Sequence, residues 1–158
     1  MRLFNATKAA HAQQPATAYA YDQAYSRNIG LLSETEQSVL AGSRVAIAGL
    51  GGVGGLHLMA LARLGVGRFA IADPDIFELV NMNRQIGATL STLGRAKAEV
   101  LADMVGEVNP EAEIQVFPDG IDEDNVEAFL EGTVCAVDRT SSPTRAWCAP
   151  WTASTSST

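Results

Sequence analysis

Glycines 49, 51 and 54 stand in the run Val45-Ala46-Ile47-Ala48-Gly49-Leu50-Gly51-Gly52-Val53-Gly54-Gly55, directly after a short apolar stretch and directly before a helical pattern. A glycine turn between a strand and a helix aims free N–H groups at an incoming anion, and the missing Cβ atoms let the backbone approach a phosphate closely. The competing reading is a plain strand–helix turn whose glycines serve packing. Asp73 ends the next apolar stretch. That is where a carboxylate accepts hydrogen bonds from ribose hydroxyls, about 20 residues past the glycines; a turn or helix-cap Asp is the alternative. Asp75, in Asp73-Pro74-Asp75, suits a turn as well as a ligand.

Taken alone, these residues suit NAD. The next segment changes that reading. Asn81-Met82-Asn83-Arg84-Gln85 places a polar, Arg-bearing cluster just beyond the acids, and a dinucleotide site has no evident need for it. Arg84 can grip phosphate oxygens through its planar fork, or it can form an ordinary surface ion pair. Lys97 lies four residues before Leu101 and seven before Met104, so it shares their inward helix face. In a right-handed βαβ fold that helix start lies near the carboxyl edge of the sheet, where ligands bind. A lysine there meets phosphate charge, or its stem simply covers apolar surface.

The surrounding elements follow from pattern. Ser33 and Glu36 form a capping box that starts a helix running to about Ala41, with Gly42 as its stop. Strands are expected at Arg44–Ala48, Arg68–Ala72, Glu113–Phe117 and Thr133–Val137, and helices at Leu56–Leu64, Arg95–Val108 and Asp122–Leu130. The Leu56–Leu64 helix is apolar nearly all round, which predicts burial, His57 included. Strands alternating with helices make an α/β fold of Rossmann type, a mostly parallel sheet with helices on both faces. Residues 1–20 read as a flexible tail and 21–138 as the nucleotide-binding domain. Residues 139–158 read as an irregular Ser/Thr/Ala/Pro-rich tail, where the fold pattern stops as if its C-terminal half were missing or out of frame.

At 158 residues and 47% hydrophobic content the chain can bury the core of one domain. The net charge of −7 argues against general nucleic-acid or membrane-surface binding. No apolar run approaches the length of a membrane span. Two cysteines, Cys135 and Cys148, are too few and too far apart for a zinc knuckle or a disulfide framework. Cys135 is expected as a small core residue, and a reducing, cytoplasmic setting is expected by default.

The ordered set Gly49, Gly51, Gly52, Gly54, Asp73, Asp75, Asn81, Asn83, Arg84, Gln85 and Lys97 resembles the ThiF/MoeB/HesA-type adenylyltransferases, relatives of ubiquitin-activating enzymes. Tyr25-Ser26-Arg27-Asn28 is similar to the family's N-terminal Arg-bearing segment. The resemblance covers about residues 20–138. It implies ATP-dependent adenylation, with Mg²⁺, of the C-terminal carboxylate of a ubiquitin-like sulfur-carrier protein, releasing pyrophosphate. By position it assigns Gly51 and Gly52 to the phosphates, Asp73 to the ribose, and Asn81, Arg84 and Lys97 to the triphosphate. Arg27 would be inserted into a neighbouring subunit's site, so a homodimer is implied. A related branch that activates a carboxylate on a tRNA base is compatible with the same residues.

One departure stands out. The family follows the fourth strand with two acids, the second of which holds Mg²⁺; Asp138 matches the first, but Ser141 stands at the second. A hydroxyl is a poor substitute for a carboxylate at Mg²⁺, so no metal ligand is assigned and weak or absent adenylation is expected of this chain. The rival readings are a fragment of an NAD-binding oxidoreductase, which leaves Asn81, Arg84 and Lys97 unexplained, and a nucleotide-binding module without catalysis.

Overall fold

The computed structural model describes residues 2–5 and 18–138. Five strands form one sheet: β1 (Arg2–Asn5), β2 (Arg44–Ala48), β3 (Arg68–Ala72), β4 (Glu113–Phe117) and β5 (Cys135–Asp138), in the order β1-β4-β3-β2-β5. Strands β2 to β5 are parallel, and β1 pairs antiparallel with β4. Residues 6–17 lie outside the described residues, while residues 2–5, expected within a flexible tail over 1–20, close one edge of the sheet. Their contribution was invisible in the sequence because an edge strand of four residues needs only backbone partners.

The helices are α1 (Tyr21–Ala24), α2 (Glu34–Gly42), α3 (Gly54–Leu64), α4 (Lys97–Val108) and α5 (Val126–Leu130). The strands alternate between two apolar faces. Val45, Ile47, Phe69, Ile71, Ile114 and Val116 pack with Leu58, Ala62, Leu101 and Val105 of α3 and α4. Ala46, Ala48, Ala70, Ala72 and Phe117 face the other way and pack with Phe129 of α5. Both faces are therefore covered, as expected of a parallel sheet. The small alanines set the second face close to its helix, and Phe117 and Phe129 meet edge to face at 5.3 Å.

The expected strands at 44–48, 68–72 and 113–117 have those bounds. The capping box at Ser33 is present: Glu36 N–H donates to Ser33 Oγ at 3.2 Å, and Ser33 N–H donates to Glu36 Oε2 at 2.8 Å. That bonding, Ser33 N–H first, holds the Glu36 carboxyl below its usual pKa.

Three expectations are corrected. Helix α3 is buried on one face only; Leu56 is 51% exposed and His57 is exposed. Helix α5 starts at Val126, because Asp122 Oδ1 accepts from the Asp124 and Asn125 N–H groups and holds the preceding residues in a turn. Cys135 is exposed, since β5 lies at the edge of the described sheet. His11, Ser141 and Cys148 lie outside the described residues.

Candidate functional site

The site forms at the carboxyl ends of β2 and β3. β2 is the strand from which the chain runs to β3 and β4 on one side and to β5 on the other. Such a reversal opens a crevice above the sheet, where α/β folds bind ligands. The glycine turn crosses that crevice. Gly49 has φ +83°, a conformation that disfavours side chains, and a Cβ on Gly54 would lie 1.8 Å from the Gly49 carbonyl oxygen. Only glycine at both positions lets the strand turn this tightly into the helix. Behind the turn, α3 runs 11 residues along the sheet. The first-turn N–H groups of a helix have no acceptor within it and carry its partial positive charge.

Asp73 fastens the turn. Its carboxylate is buried; Oδ2 accepts from the Leu50 N–H at 2.6 Å and Oδ1 from the Asp75 N–H at 2.9 Å. The neighbouring Gly49 N–H donates to the Ala72 carbonyl at 2.8 Å. The expected ribose acid is thus also the staple between the two strand ends, and each carboxylate oxygen keeps a second acceptor direction. Sequence spacing located Asp73 but held no trace of this second task.

Asp75 and Lys97 form one unit. Lys97 Nζ lies 2.9 Å from Asp75 Oδ2, with the lysine side chain 6% exposed and the aspartate 67% exposed. The Lys97 N–H also donates to the Asp75 carbonyl at 2.9 Å, and the Phe77 N–H donates to the Arg95 carbonyl. The entry to α4 is therefore laced to the segment after β3, which is what brings Lys97 to the crevice. Its helix begins at Lys97 rather than Arg95.

Arg84 and Asn81 are held in the turns between those segments. Arg84 is exposed, and its Nη1 donates to the Val80 carbonyl at 2.8 Å and to Asn83 Oδ1 at 2.9 Å. Its stem covers the glycine turn: a Cβ on Gly52 would lie 3.2 Å from the Arg84 carbonyl oxygen and 3.5 Å from its Cγ. Asn81 is buried, and its Oδ1 accepts from the Glu78 N–H at 2.9 Å, closing a short 3₁₀ turn at Leu79–Asn81. In that arrangement Asn81 shapes the loop that carries Arg84. Gln85, given no role by the sequence, is buried beside Gly51. Its N–H donates to the Asn81 carbonyl, which turns the Gln85 side chain inward from the same loop.

Arg27 is not brought to this cluster. It is exposed in a 3₁₀ turn at Ser26–Asn28, and its neighbours Tyr25 and Asn28 bind the carbonyls of Ala62 and Leu64. Those carbonyls lie in the last turn of α3, about 12–15 Å from its start at Gly54 at 1.5 Å per helical residue.

Comparison with known proteins identifies the family of the chain. The family model described as "ThiF family" matches residues 25–145. The chain is 36% identical over 107 residues to a tRNA threonylcarbamoyladenosine dehydratase of Bacillus subtilis, covering 68% of this chain and 42% of that protein. It is 33% identical over 124 residues to a SAMP-activating enzyme E1 of Haloferax volcanii, covering 77% of this chain and 46% of that protein. The crystal structure of Escherichia coli tRNA N6-threonylcarbamoyladenosine dehydratase in complex with ATP superposes with a TM-score of 0.75 at 33% identity, over 79% of this chain and 52% of that one. The chain thus spans about half the length of the relatives it matches. Among the described residues no helix is long and apolar enough to cross a membrane. Matched by that family model over well more than half of its length, the chain belongs to the ThiF family.

Proposed function

We propose that this chain binds ATP across the glycine turn in a site built to activate a carboxylate as an acyl-adenylate, with turnover weakened where Ser141 stands in place of the second acid. The observation that carries the reading is the buried Lys97, whose ammonium is held 2.9 Å from Asp75, two residues past the Asp73 that staples the glycine turn. A lysine able to pass from the solvent-exposed Asp75 carboxylate to a phosphate, together with the partial positive charge of a helix start, suits a triphosphate, whose charge exceeds that of the diphosphate in NAD. The substrate carboxylate attacks the α-phosphorus, the bond to the bridging oxygen breaks, and pyrophosphate leaves with its electron pair. Lys97 and Arg84 neutralise charge on the transferring phosphate, while the glycine turn and Asp73 fix its position. No protein nucleophile is required. Among the described residues no group of three His, Cys, Asp or Glu side chains could hold a metal ion. Mg²⁺ accompanying ATP would offset charge on the phosphates when bound.

The carboxylate is proposed to be carried on a tRNA base. Dehydratases named for that substrate, from Bacillus subtilis and Escherichia coli, are 35–36% identical to this chain. Adenylation suits a dehydration because it turns a carboxylate oxygen into a leaving group. A ubiquitin-like carrier with a C-terminal glycine is the second reading, supported by the SAMP-activating enzyme of Haloferax volcanii. In either case a homodimer with Arg27 supplied in trans is proposed. Arg27 lies too far from its own crevice to serve it, and Val53, Leu56 and Ile86 near the start of α3 are 40–51% exposed.

The test is exchange of labelled pyrophosphate into ATP by the purified chain, with bulk tRNA or with a glycine-ended ubiquitin-like protein. Exchange stimulated by tRNA supports the first reading, and exchange stimulated by the protein supports the second. ATP binding without exchange supports a nucleotide-binding module; binding of NAD in preference to ATP overturns the proposal.

A further inference from the structure

We infer that Gln37 is a positioning residue for Arg27: its buried amide, acting through Asn28, holds the turn from which Arg27 reaches the partner's crevice. The inference rests on the reading above in which Arg27 is supplied in trans, and it names what fixes that arginine. The segment that carries Arg27 has little apolar anchorage of its own. Neither α1 nor the 3₁₀ turn at Ser26–Asn28 contains a buried residue, and neither has a side-chain N-cap. Between them, Tyr25 is buried.

Gln37 supplies an anchor from α2. It is 7% exposed, and both ends of its amide are paired. Oε1 accepts from Asn28 Nδ2 at 2.9 Å, while Nε2 donates to the Tyr21 hydroxyl at 2.8 Å and to the Leu64 carbonyl at 2.9 Å. One side chain thus ties α1, the arginine turn, α2 and the end of α3 together. Asn28 Nδ2 also donates to the Leu64 carbonyl at 3.2 Å, and the Asn28 carbonyl accepts from the Leu31 and Leu32 N–H groups. The residue next to Arg27 is therefore held by its side chain and by its backbone.

Closing α3 does not require this amide. Gly65 has φ +93°, and the N–H groups of Gly65 and Val66 return to the Ala62 and Leu61 carbonyls, which ends the helix with backbone alone. The same glycine makes room for the anchor: a Cβ there would lie 2.4 Å from both Gln37 Nε2 and the Tyr21 hydroxyl oxygen. A buried amide with its partners in place is fixed in position, and it passes that position to Asn28. Misplacing a charged group by about 1 Å can cost about a hundredfold in rate, so an arginine that crosses between subunits needs such a fixed base.

The inference is tested by calorimetric titration of the whole chain with ATP and with adenosine. The proteins are wild type, Arg27→Ala, Gln37→Met, Asn28→Ala, and Arg27→Ala combined with each of the other two. Met keeps the length of Gln and removes its hydrogen bonds. Asn28→Ala cuts the tie at a half-buried residue and leaves α2 and α3 untouched. ATP affinity is expected to fall about tenfold in Arg27→Ala and about fivefold in Gln37→Met and in Asn28→Ala. Each double variant is expected to bind ATP as Arg27→Ala does, because a base without its arginine has nothing left to position. Adenosine affinity is expected to stay at the wild-type value throughout. A further loss in the double variants, or a parallel loss of adenosine binding, would show that Gln37 acts through the fold at large and would overturn the inference. Wild-type ATP affinity in Gln37→Met and Asn28→Ala, with Arg27→Ala weakened, would overturn it while leaving Arg27 in trans. Wild-type ATP affinity in Arg27→Ala would overturn the arginine in trans and the inference with it. A wild-type chain that binds no ATP would overturn the nucleotide reading as well.

Discussion

Lys97 and Asp75 are joined twice, by an ion pair of 2.9 Å between side chains and by a 2.9 Å bond from the Lys97 N–H to the Asp75 carbonyl. The lysine end is buried and the aspartate end is open to solvent. Asp75, read from the sequence as a cofactor ligand or a turn residue, therefore orients the ammonium that faces the crevice. The two ends of the pair should respond differently to mutation. Lys97→Met keeps the apolar stem and is expected to change stability by less than about 1 kcal/mol, while lowering pyrophosphate exchange more than about a hundredfold. Asp75→Asn leaves the buried charge without its counter-ion and is expected to cost about 1–2 kcal/mol. Urea unfolding read alongside exchange separates the two effects.

Two glycines of the turn carry different constraints. Gly54→Ala would drive its Cβ into the Gly49 carbonyl, whereas a Cβ on Gly51 meets nothing nearer than Gln85 Nε2 at 3.7 Å. Gly54→Ala is expected to destabilise the fold by about 3 kcal/mol. Gly51→Ala should melt within a few degrees of wild type and yet lose ATP affinity, because the new methyl occupies the surface offered to phosphate. Equal effects of the two substitutions on stability would contradict the packing described.

Asp73 carries a structural load beside its proposed contact with ribose. Asp73→Ala leaves the buried Leu50 N–H without an acceptor and is expected to cost about 1–3 kcal/mol. Its effect should appear in amide hydrogen exchange as faster exchange at Leu50 and Asp75 even without nucleotide. Slow exchange there in the variant would count against the staple.

Arg27 gives a test that does not depend on stability. It is exposed and remote from its own crevice, so Arg27→Ala should melt like wild type and lose exchange activity. Mixed and re-equilibrated with Lys97→Ala, it should regain about a quarter of wild-type activity, since half of the dimers are hybrids and each hybrid has one complete site. No recovery on mixing, with dimers present, would exclude an arginine supplied in trans.

Burial raises the pKa values of Tyr19, Tyr21 and Tyr25. Tyr25 donates to the Ala62 carbonyl at 2.9 Å and Tyr21 to the Gly65 carbonyl at 2.6 Å, where both close the end of α3. With folded values above the unfolded one near 10, their contribution is fully present below about pH 10 and is lost as pH rises through the folded values. Denaturant midpoints should therefore fall steeply above pH 10. Tyr25→Phe should cost about 1 kcal/mol at pH 8 and should lessen that alkaline slope. An alkaline slope identical in the variant would show that Tyr25 plays no part in it.

The central strands, the capping box at Ser33 and the glycine turn were legible in the sequence because local chemistry decides them. β-branched and small apolar residues in short runs form buried strands, Ser33 and Glu36 satisfy their own backbone, and Gly49 adopts a φ that side chains disfavour. The spacing of Asp73, Arg84 and Lys97 raised the expectation of a nucleotide, with Asp73 at its ribose and the two cations at its phosphates. Only the tertiary structure decided how those residues share the work. Asp73 staples the turn, Asp75 holds Lys97, Asn81 shapes the loop under Arg84, and Gln85 is carried inward beside Gly51. The Asn81 bond is local, closing a turn over three residues, but the others join segments more than 20 residues apart, set by which strand ends the sheet brings together. The edge position of β5, which exposes Cys135, and the pairing of Arg2–Asn5 with β4 have the same origin. Burial and backbone pairing at a sheet's edge depend on neighbours in space, and no local run of residues encodes them.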